Sequence, residues 1–426
     1  MFDTFRNAWR SPELRKKLLY TLLVIVIFRI GAAITVPYLN LTALHNEITS
    51  GGNSLMGYID ILTGGALSRA TIFSMSVTPY INATIIIQLL TVAIPALERL
   101  SKEGEVGRKK LNSITRVFTM FLGLGQGLGM YFYLLNSHIT QYSTGFSAVF
   151  AAIVIVAVFT AGSCLMMWLG EQINDKGIGN GISILLFAGI VSRGPSIGSA
   201  ISKYWSIGGK YHVLIPVLIV LGLFVIVAIV FMNDAERRIP VQYAKRVVGR
   251  KMYGGQSSYI PIKVTMSGVM PIIFASSIVS IPSIIGGFLP KASTIYKVFT
   301  WFGYTSWLYA VVYFVLIILF NFFYVALQYN PFEISNNLRK NNGGIPGIRP
   351  GKPTADFIQR VISRVTLIGA VFLGVVAVLP IALSAGAGLN IALGGTSLLI
   401  LVGVALDTQR QLESQMMMRH YKGFLE

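Results

Sequence analysis

The residue types that usually carry chemistry are thinly spread in this chain of 426 residues. Its four histidines, His45, His138, His212 and His420, lie outside or at the margins of the apolar stretches, and no pair has metal-ligand spacing. Metal catalysis is therefore not expected. An intramembrane serine nucleophile would need a buried general base beside it, and no histidine is placed to act as one. The lone Cys164 excludes an intramolecular disulfide. The glycine-rich GIGNGIS, Gly177 to Ser183, follows an apolar helix and not a strand, so it reads as a turn between two helices and not as a phosphate cradle. GLGQGLG, Gly123 to Gly129, holds two overlaid GxxxG spacings, which point to close helix packing. What remains unusual is SVTPYINATIIIQLL, Ser76 to Leu90: a helix apolar enough for a membrane, yet interrupted by Pro79, Asn82 and Gln88.

The elements that must position these residues follow from composition. With 54% hydrophobic and 12% charged residues and a mean hydropathy of +0.67, the chain is an integral membrane protein. Apolar runs occur at 18–37, 70–94, 114–135, 148–169, 178–201, 211–232, 264–289, 301–328, 361–383 and 391–406, ten in all, the last one short. A run of about 20 apolar residues crosses a hydrocarbon core, and only helices satisfy their own backbone there. If the segments between the runs, with the basic residues at the adjoining run ends, are assigned alternately to two faces, 28 Lys and Arg fall on one face and 6 on the other. The positive-inside rule then puts both termini and the long loops 233–263 and 329–364 in the cytoplasm. No small-residue cleavage site follows the basic N-terminus, so the first run is expected to be a retained span.

Internal similarity adds symmetry. Ser76–Ile86 lies on Gly268–Ile278 with identities at Val77/Val269, Pro79/Pro271, Ile81/Ile273 and Ala83/Ala275, an offset of 192. GISILLFAGI from Gly181 lies on GTSLLILVGV from Gly395 at an offset of 214. Both pairs are five runs apart, so the partners run in opposite directions through the membrane, and two inverted five-helix halves, 1–210 and 211–426, are expected. Chance matches between apolar segments are the alternative. An inverted-repeat fold places its working site between the halves, and an ion-coupled transporter is one protein class built that way. Such a transporter needs ionisable groups near the bilayer centre. Arg29 is the clear charge inside the runs, and it could equally hold a helix carbonyl or reach an interface. What the repeated helices do carry near their middles is aliphatic: Val77, Ile81, Ile182, Leu186, Ile273 and Ile400. An apolar constriction closes a water-filled path by dewetting and is indifferent to what passes, which suits a cargo of arbitrary sequence.

SLMGYIDILTGGALSRA, Ser54 to Ala70, is too short and glycine-rich to span, and Asp60 would be costly in lipid. It reads as a helix folding back into the protein from the outer face, or else as an interfacial helix. Loop 233–263 alternates basic and apolar residues around Gly254-Gly255 and reads as a projecting hairpin. In loop 329–364, GGIPGIRPGKP holds Arg349 between two Pro-Gly pairs. Each loop could be a solvated basic connector that enforces topology; at this length, docking of a large anionic or acidic partner is the stronger reading.

Together, FRIG at 28–31, GGALSRA at 64–70, PYINATIIIQLL at 79–90, GEQINDKGIGNGIS at 170–183, YAKR at 243–246, PGIRPG at 346–351 and GGTSLLI at 394–400 resemble the SecY family, channel subunits of the bacterial preprotein translocase. The resemblance runs nearly end to end. It implies an all-α membrane protein of ten transmembrane helices in two inverted halves, a clamshell around a polypeptide pore with a lateral gate to lipid between spans 2 and 7. It implies a pore ring at Val77, Ile81, Ile182, Leu186, Ile273 and Ile400, where Val77 and Leu186 stand in for isoleucine but keep the ring aliphatic. It makes residues 55–69 a plug, with Leu55, Ile59, Leu62, Gly64, Gly65 and Leu67 as its members. Asn82, Gln88 and Thr265 become polar gate residues, Thr265 standing where the family pattern has an amide, and Arg246, Arg250 and Arg349 become cytoplasmic docking residues. The implied partners are SecE and SecG small subunits, the SecA motor ATPase or a translating ribosome, preproteins with signal sequences, and anionic lipids. No cofactor is implied, and the chain is expected to be no enzyme. It is expected in the bacterial cell membrane.

Overall fold

The computed structural model describes residues 6, 8–44, 60, 65–142, 145–209, 211–243, 246–248, 251–253, 257–287, 306–387 and 395–422. The first half holds α1 (Pro12–Gly31), α2 (Thr78–Ala93), α3 (Pro95–Lys102), α4 (Glu105–Asn136), α5 (Phe146–Lys176), α6 (Gly181–Val191) and α7 (Gly194–Ile207). The second holds α8 (Tyr211–Asp234), β1 (Glu236–Tyr243), β2 (Arg246–Val248), β3 (Lys251–Tyr253), β4 (Ser257–Lys263) and α9 (Met270–Gly287). It continues through α10 (Trp307–Gln328), α11 (Pro331–Lys340), β5 (Gly343–Gly344), α12 (Lys352–Ala387) and α13 (Gly395–Lys422). Five of these helices are long and apolar enough by themselves to cross a membrane, or six if α2 and α3, bent by 102° at Ile94, count as one span.

Two apolar runs differ from their helices in an instructive way. Run 70–94 becomes helical only at Thr78, because residues 65–77 are a succession of turns closed by their own side chains. Ser74 Oγ donates to Thr71 O at 2.6 Å and to Ala66 O at 3.0 Å, and Thr71 Oγ1 donates to Ala66 O at 3.2 Å. Hydroxyls that bond nearby backbone compete with the helix ladder, and Pro79 then starts the helix in its first turn. Run 178–201 is split, since α6 stops at Val191 and Pro195, lacking a backbone N–H, opens a separate helix.

The second half repeats the first of these devices. Residues 264–269 are also turns, held by Thr265 Oγ1 donating to Asn233 Oδ1 at 2.5 Å and by Ser267 donating to Asn321. Both turn segments cross a long helix at a glycine. A Cβ on Gly162 of α5 would lie 2.0 Å from Ile72 O, and one on Gly369 of α12 would lie 2.3 Å from Val264 O. Ile72 and Val264 are the very residues that the 192-residue offset pairs.

Packing joins the halves through α2 against α9 and α6 against α13, which are the repeat-related helices themselves, and through the neighbouring α7 and α8. Within the first half, α4 packs on α5 and on α2, and α1 packs on α5 and α6; within the second, α10 packs on α12 and α9. Of the glycines in GLGQGLG, Gly123 and Gly127 face α5, where an added Cβ would meet Thr160 at 3.5 and 3.4 Å, while Gly125 faces open space. The close-packing register is therefore 123/127. The loops pack their apolar residues on the ends of α10 and α12, with Ile239, Val241, Ile262, Leu338 and Ile345 buried together with Val325, Ile358 and Ile362 of those helices.

Candidate functional site

The six aliphatic residues named from the sequence all belong to one large apolar cluster, which also takes in residues of α1, α5, α8, α10 and α12. Val77 stands at the N-cap of α2 and Ile81 one turn on; Ile182 and Leu186 are one turn apart on α6; Ile273 opens α9, and Ile400 lies in α13. Residues four apart share a helix face, and all six are buried members of one apolar cluster, none more than 9% exposed. Ile81 and Ile273 are mates under the 192-residue offset, and Leu186 and Ile400 under the 214-residue offset. Four helices, two from each half, thus bring matched side chains to the line where the halves meet.

The turn GIGNGIS positions α6 for this. Asn174 Oδ1 accepts from Gly181 N at 2.7 Å, and Asn180 Oδ1 caps the helix by accepting from Ser183 N at 3.2 Å. Gly179 adopts φ +86°, open to glycine, and Gly181 presses so closely on α5 that a Cβ would fall 1.9 Å from Gly170 O.

Of the fold-back segment, Leu55, Ile59, Leu62 and Gly64 lie outside the described residues. Asp60, Ala66 and Leu67 are buried, at 1%, 1% and 3% exposure, Ala66 within the same cluster as the ring. Gly65 is half-buried with φ +84°. Asp60 pairs with Arg193 through Oδ2 and Nη1 at 2.8 Å. Sequence reasoning flagged the cost of Asp60 but missed its partner; an arginine just past the end of an apolar helix was the available signal. Arg29 Nη1 donates to Ser192 Oγ at 2.9 Å, so its charge is held at the same end of α6.

On α2, Asn82 and Gln88 are half-buried, and Gln88 Oε1 is buried without a hydrogen-bond partner among the described residues. Thr265 points elsewhere: its hydroxyl is committed to Asn233 of α8, not to α2.

The basic loops are better joined than the sequence suggested. Loop 233–263 is a hairpin, with β1 antiparallel to β4 from Glu236↔Lys263 to Gln242↔Ser257. The Gly254-Gly255 turn lies outside the described residues. β5 from the other loop adds to the free edge of β1 at Gln242↔Gly344 and Tyr243↔Gly343, so one sheet, in the order β4-β1-β5, ties the two loops together. Arg246 opens the β2–β3 ribbon opposite Tyr253, and Arg250 lies outside the described residues. Arg349 is exposed on a turn between Gly347 (φ +79°) and Gly351 (φ +100°). That turn is anchored by Thr354 Oγ1 donating to Arg349 O and by Ser335 Oγ donating to Gly351 O, each at 2.8 Å. Nearby, Arg238 stacks 4.8 Å from the Tyr259 ring, and its bond to Glu236 raises its pKa further.

The family model described as SecY matches residues 71–409. The protein translocase subunit SecY of Thermotoga maritima is 45% identical over 431 residues, covering 100% of this chain and 98% of that protein. That of Streptomyces galbus is 43% identical over 447 residues, covering 100% of both. Among solved structures, one described as a protein conducting channel superposes with a TM-score of 0.65 at 19% identity, covering 94% of this chain and 92% of the other. Another, described as a SecY protein whose plug domain stabilises the closed channel and maintains a membrane seal, gives 0.60 at 18% identity over the same shares. Sec61 in the canine ribosome-channel complex from the endoplasmic reticulum gives 0.61 at 18% identity, again with shares of 94% and 92%. At these identities the structures establish a shared fold, and the translocase subunits, alike from end to end, establish kinship: the chain belongs to the SecY family.

Proposed function

We propose that the buried ring of Val77, Ile81, Ile182, Leu186, Ile273 and Ile400 is the seal of this protein-translocation channel. The observation that carries it is the convergence of these six uncharged, branched side chains from both halves into one cluster at the line where the halves meet. A collar of this chemistry excludes water when empty and offers a passing chain no specific hydrogen bond. Residues 55–69 act as the plug on the side away from the basic loops. The α2/α9 seam, with Asn82 and Gln88, acts as the lateral exit for transmembrane segments; Thr265 steadies the entry of α9 and is not itself a seam contact.

The basic loops face the cytoplasm, as do both termini, and Arg349, Arg246 and Arg250 of these loops dock a motor or ribosome. The likeness to Sec61 from a ribosome-channel complex supports a ribosome as one partner. SecA, small SecE and SecG subunits and anionic lipids follow from family membership and from the concentration of positive charge on one face. The chain conducts polypeptide without catalytic chemistry of its own, in the bacterial cell membrane. An ion-coupled transporter is not supported: the relatives are translocase subunits, and Arg29 is bonded to a serine hydroxyl.

The test is reconstitution of the chain, with its co-purifying subunits, into vesicles with a motor ATPase and a preprotein. Protease-protected preprotein that depends on ATP supports the reading; cation-driven uptake of a small solute without preprotein transport would sink it.

A further inference from the structure

Asp60 is an acidic residue with almost no exposure, at 1%, in an otherwise apolar and glycine-rich segment. Each of its acceptors is occupied. Oδ2 lies 2.8 Å from Arg193 Nη1, Oδ1 accepts from Ser68 N at 2.7 Å, and its carbonyl accepts from Gly65 N at 2.8 Å. Arg193 lies just past α6, the helix that carries Ile182 and Leu186 of the ring, with only Ser192 between them. The residue before it, Ser192, is fixed from both sides, accepting from Arg29 Nη1 of α1 at 2.9 Å and donating to Gly189 O at 2.6 Å. One corner of the first half therefore grips span 1 through Arg29 and the fold-back segment through Asp60.

We propose that Asp60 and Arg193 form the latch of the channel, the contact that holds the fold-back segment in the closed state and separates when a polypeptide passes. The proposal rests on reading residues 55–69 as the plug. A buried carboxylate held by a partly exposed arginine suits a two-state device. While the segment is seated, the Asp60 carboxylate cannot be left alone without a large desolvation penalty, so the pair stays closed. Once a passing chain admits water, both charges are hydrated and their attraction is weakened, so separation becomes cheap only while the path is occupied. When the path empties, re-pairing returns the segment.

The experiment is a double-mutant cycle on the whole translocase complex in planar bilayers, reading resting ion conductance. Asp60→Asn keeps the Ser68 contact and removes the charge; Arg193→Gln removes the other. Each should raise resting conductance by about tenfold or more, and the double variant should be no leakier than the leakier single one, because one shared contact has been lost. Arg193→Lys, which keeps the charge, should stay near the native value. Deleting residues 55–69 from the full chain is the parallel arm. If deletion raises the leak but the two single variants do not, or their effects multiply, or Arg193→Lys leaks like Arg193→Gln, the latch is wrong and the plug reading stands. If deletion leaves the leak unchanged, both are wrong.

Discussion

Ile81 and Ile273 are repeat mates on neighbouring helices, at 9% and 8% exposure, and their branched side chains leave no polar group for water to follow. Replacing either by Ser should hydrate the collar and raise resting ion conductance in planar bilayers, more in the double variant than in either single one. Ile81→Val is the control. It keeps the collar apolar, should leave the leak near native, and costs about 0.5–1.5 kcal/mol of stability. A tight channel in the doubly substituted Ser variant would remove these positions from the seal. Both isoleucines were legible in the sequence because the repeat marks them. Arg193 was not marked in this way, since its place just past an apolar helix signals a need for a partner but not which residue supplies it.

At the scale of elements, α2 and α9 begin late, each after a turn segment wedged against a glycine of a long helix. Since the added Cβ would meet a carbonyl oxygen at 2.0 Å for Gly162 and 2.3 Å for Gly369, Ala at either position must displace backbone. Each substitution should lower stability by about 1–3 kcal/mol, the usual range for overpacking. Gly125→Ala, facing open space on a helix, should instead be neutral or stabilising by up to about 1 kcal/mol. Thermal unfolding in detergent separates the three. If Gly162→Ala melts with Gly125→Ala, the notch is not a close contact. The sequence placed these turn segments inside apolar runs, since hydropathy does not register a hydroxyl that bonds its own backbone.

For the whole molecule, the basic loops matter as a single body, because β5 on the edge of β1 makes one sheet from two connectors. Arg349 stands on that body, exposed and on an anchored turn. Arg349→Glu should abolish preprotein transport by the reconstituted complex, since a partner loses a bidentate donor and meets a repulsive carboxylate. Arg349→Lys should be intermediate. Topology should not change in either variant, as one charge among 28 on that face cannot invert an orientation set by the sum. Protease accessibility of loops 233–263 and 329–364, measured from each side of the membrane, checks this. Normal transport by the Glu variant, or a defect accompanied by misoriented loops, would reduce Arg349 to part of a topology signal. On the membrane side, Val213, Val217, Val220, Phe224, Val227 and Phe231 form an exposed stripe along α8, as expected of a surface turned to lipid.

The sequence by itself determined the class of protein, the uneven spread of basic residues along the chain, the internal repeat and the aliphatic character of the repeated helices. These are sums or repeats of residue type along the chain, and hydropathy and charge act locally. Only the tertiary structure decided that Asp60 meets Arg193, that Thr265 turns to Asn233 and not to α2, that Gly123 and Gly127 form the packing face, and that two separate loops share a sheet. Each of these depends on which distant segment arrives beside a residue. That is settled by packing the whole chain, where a buried charge or a missing Cβ admits only a neighbour of matching chemistry and shape.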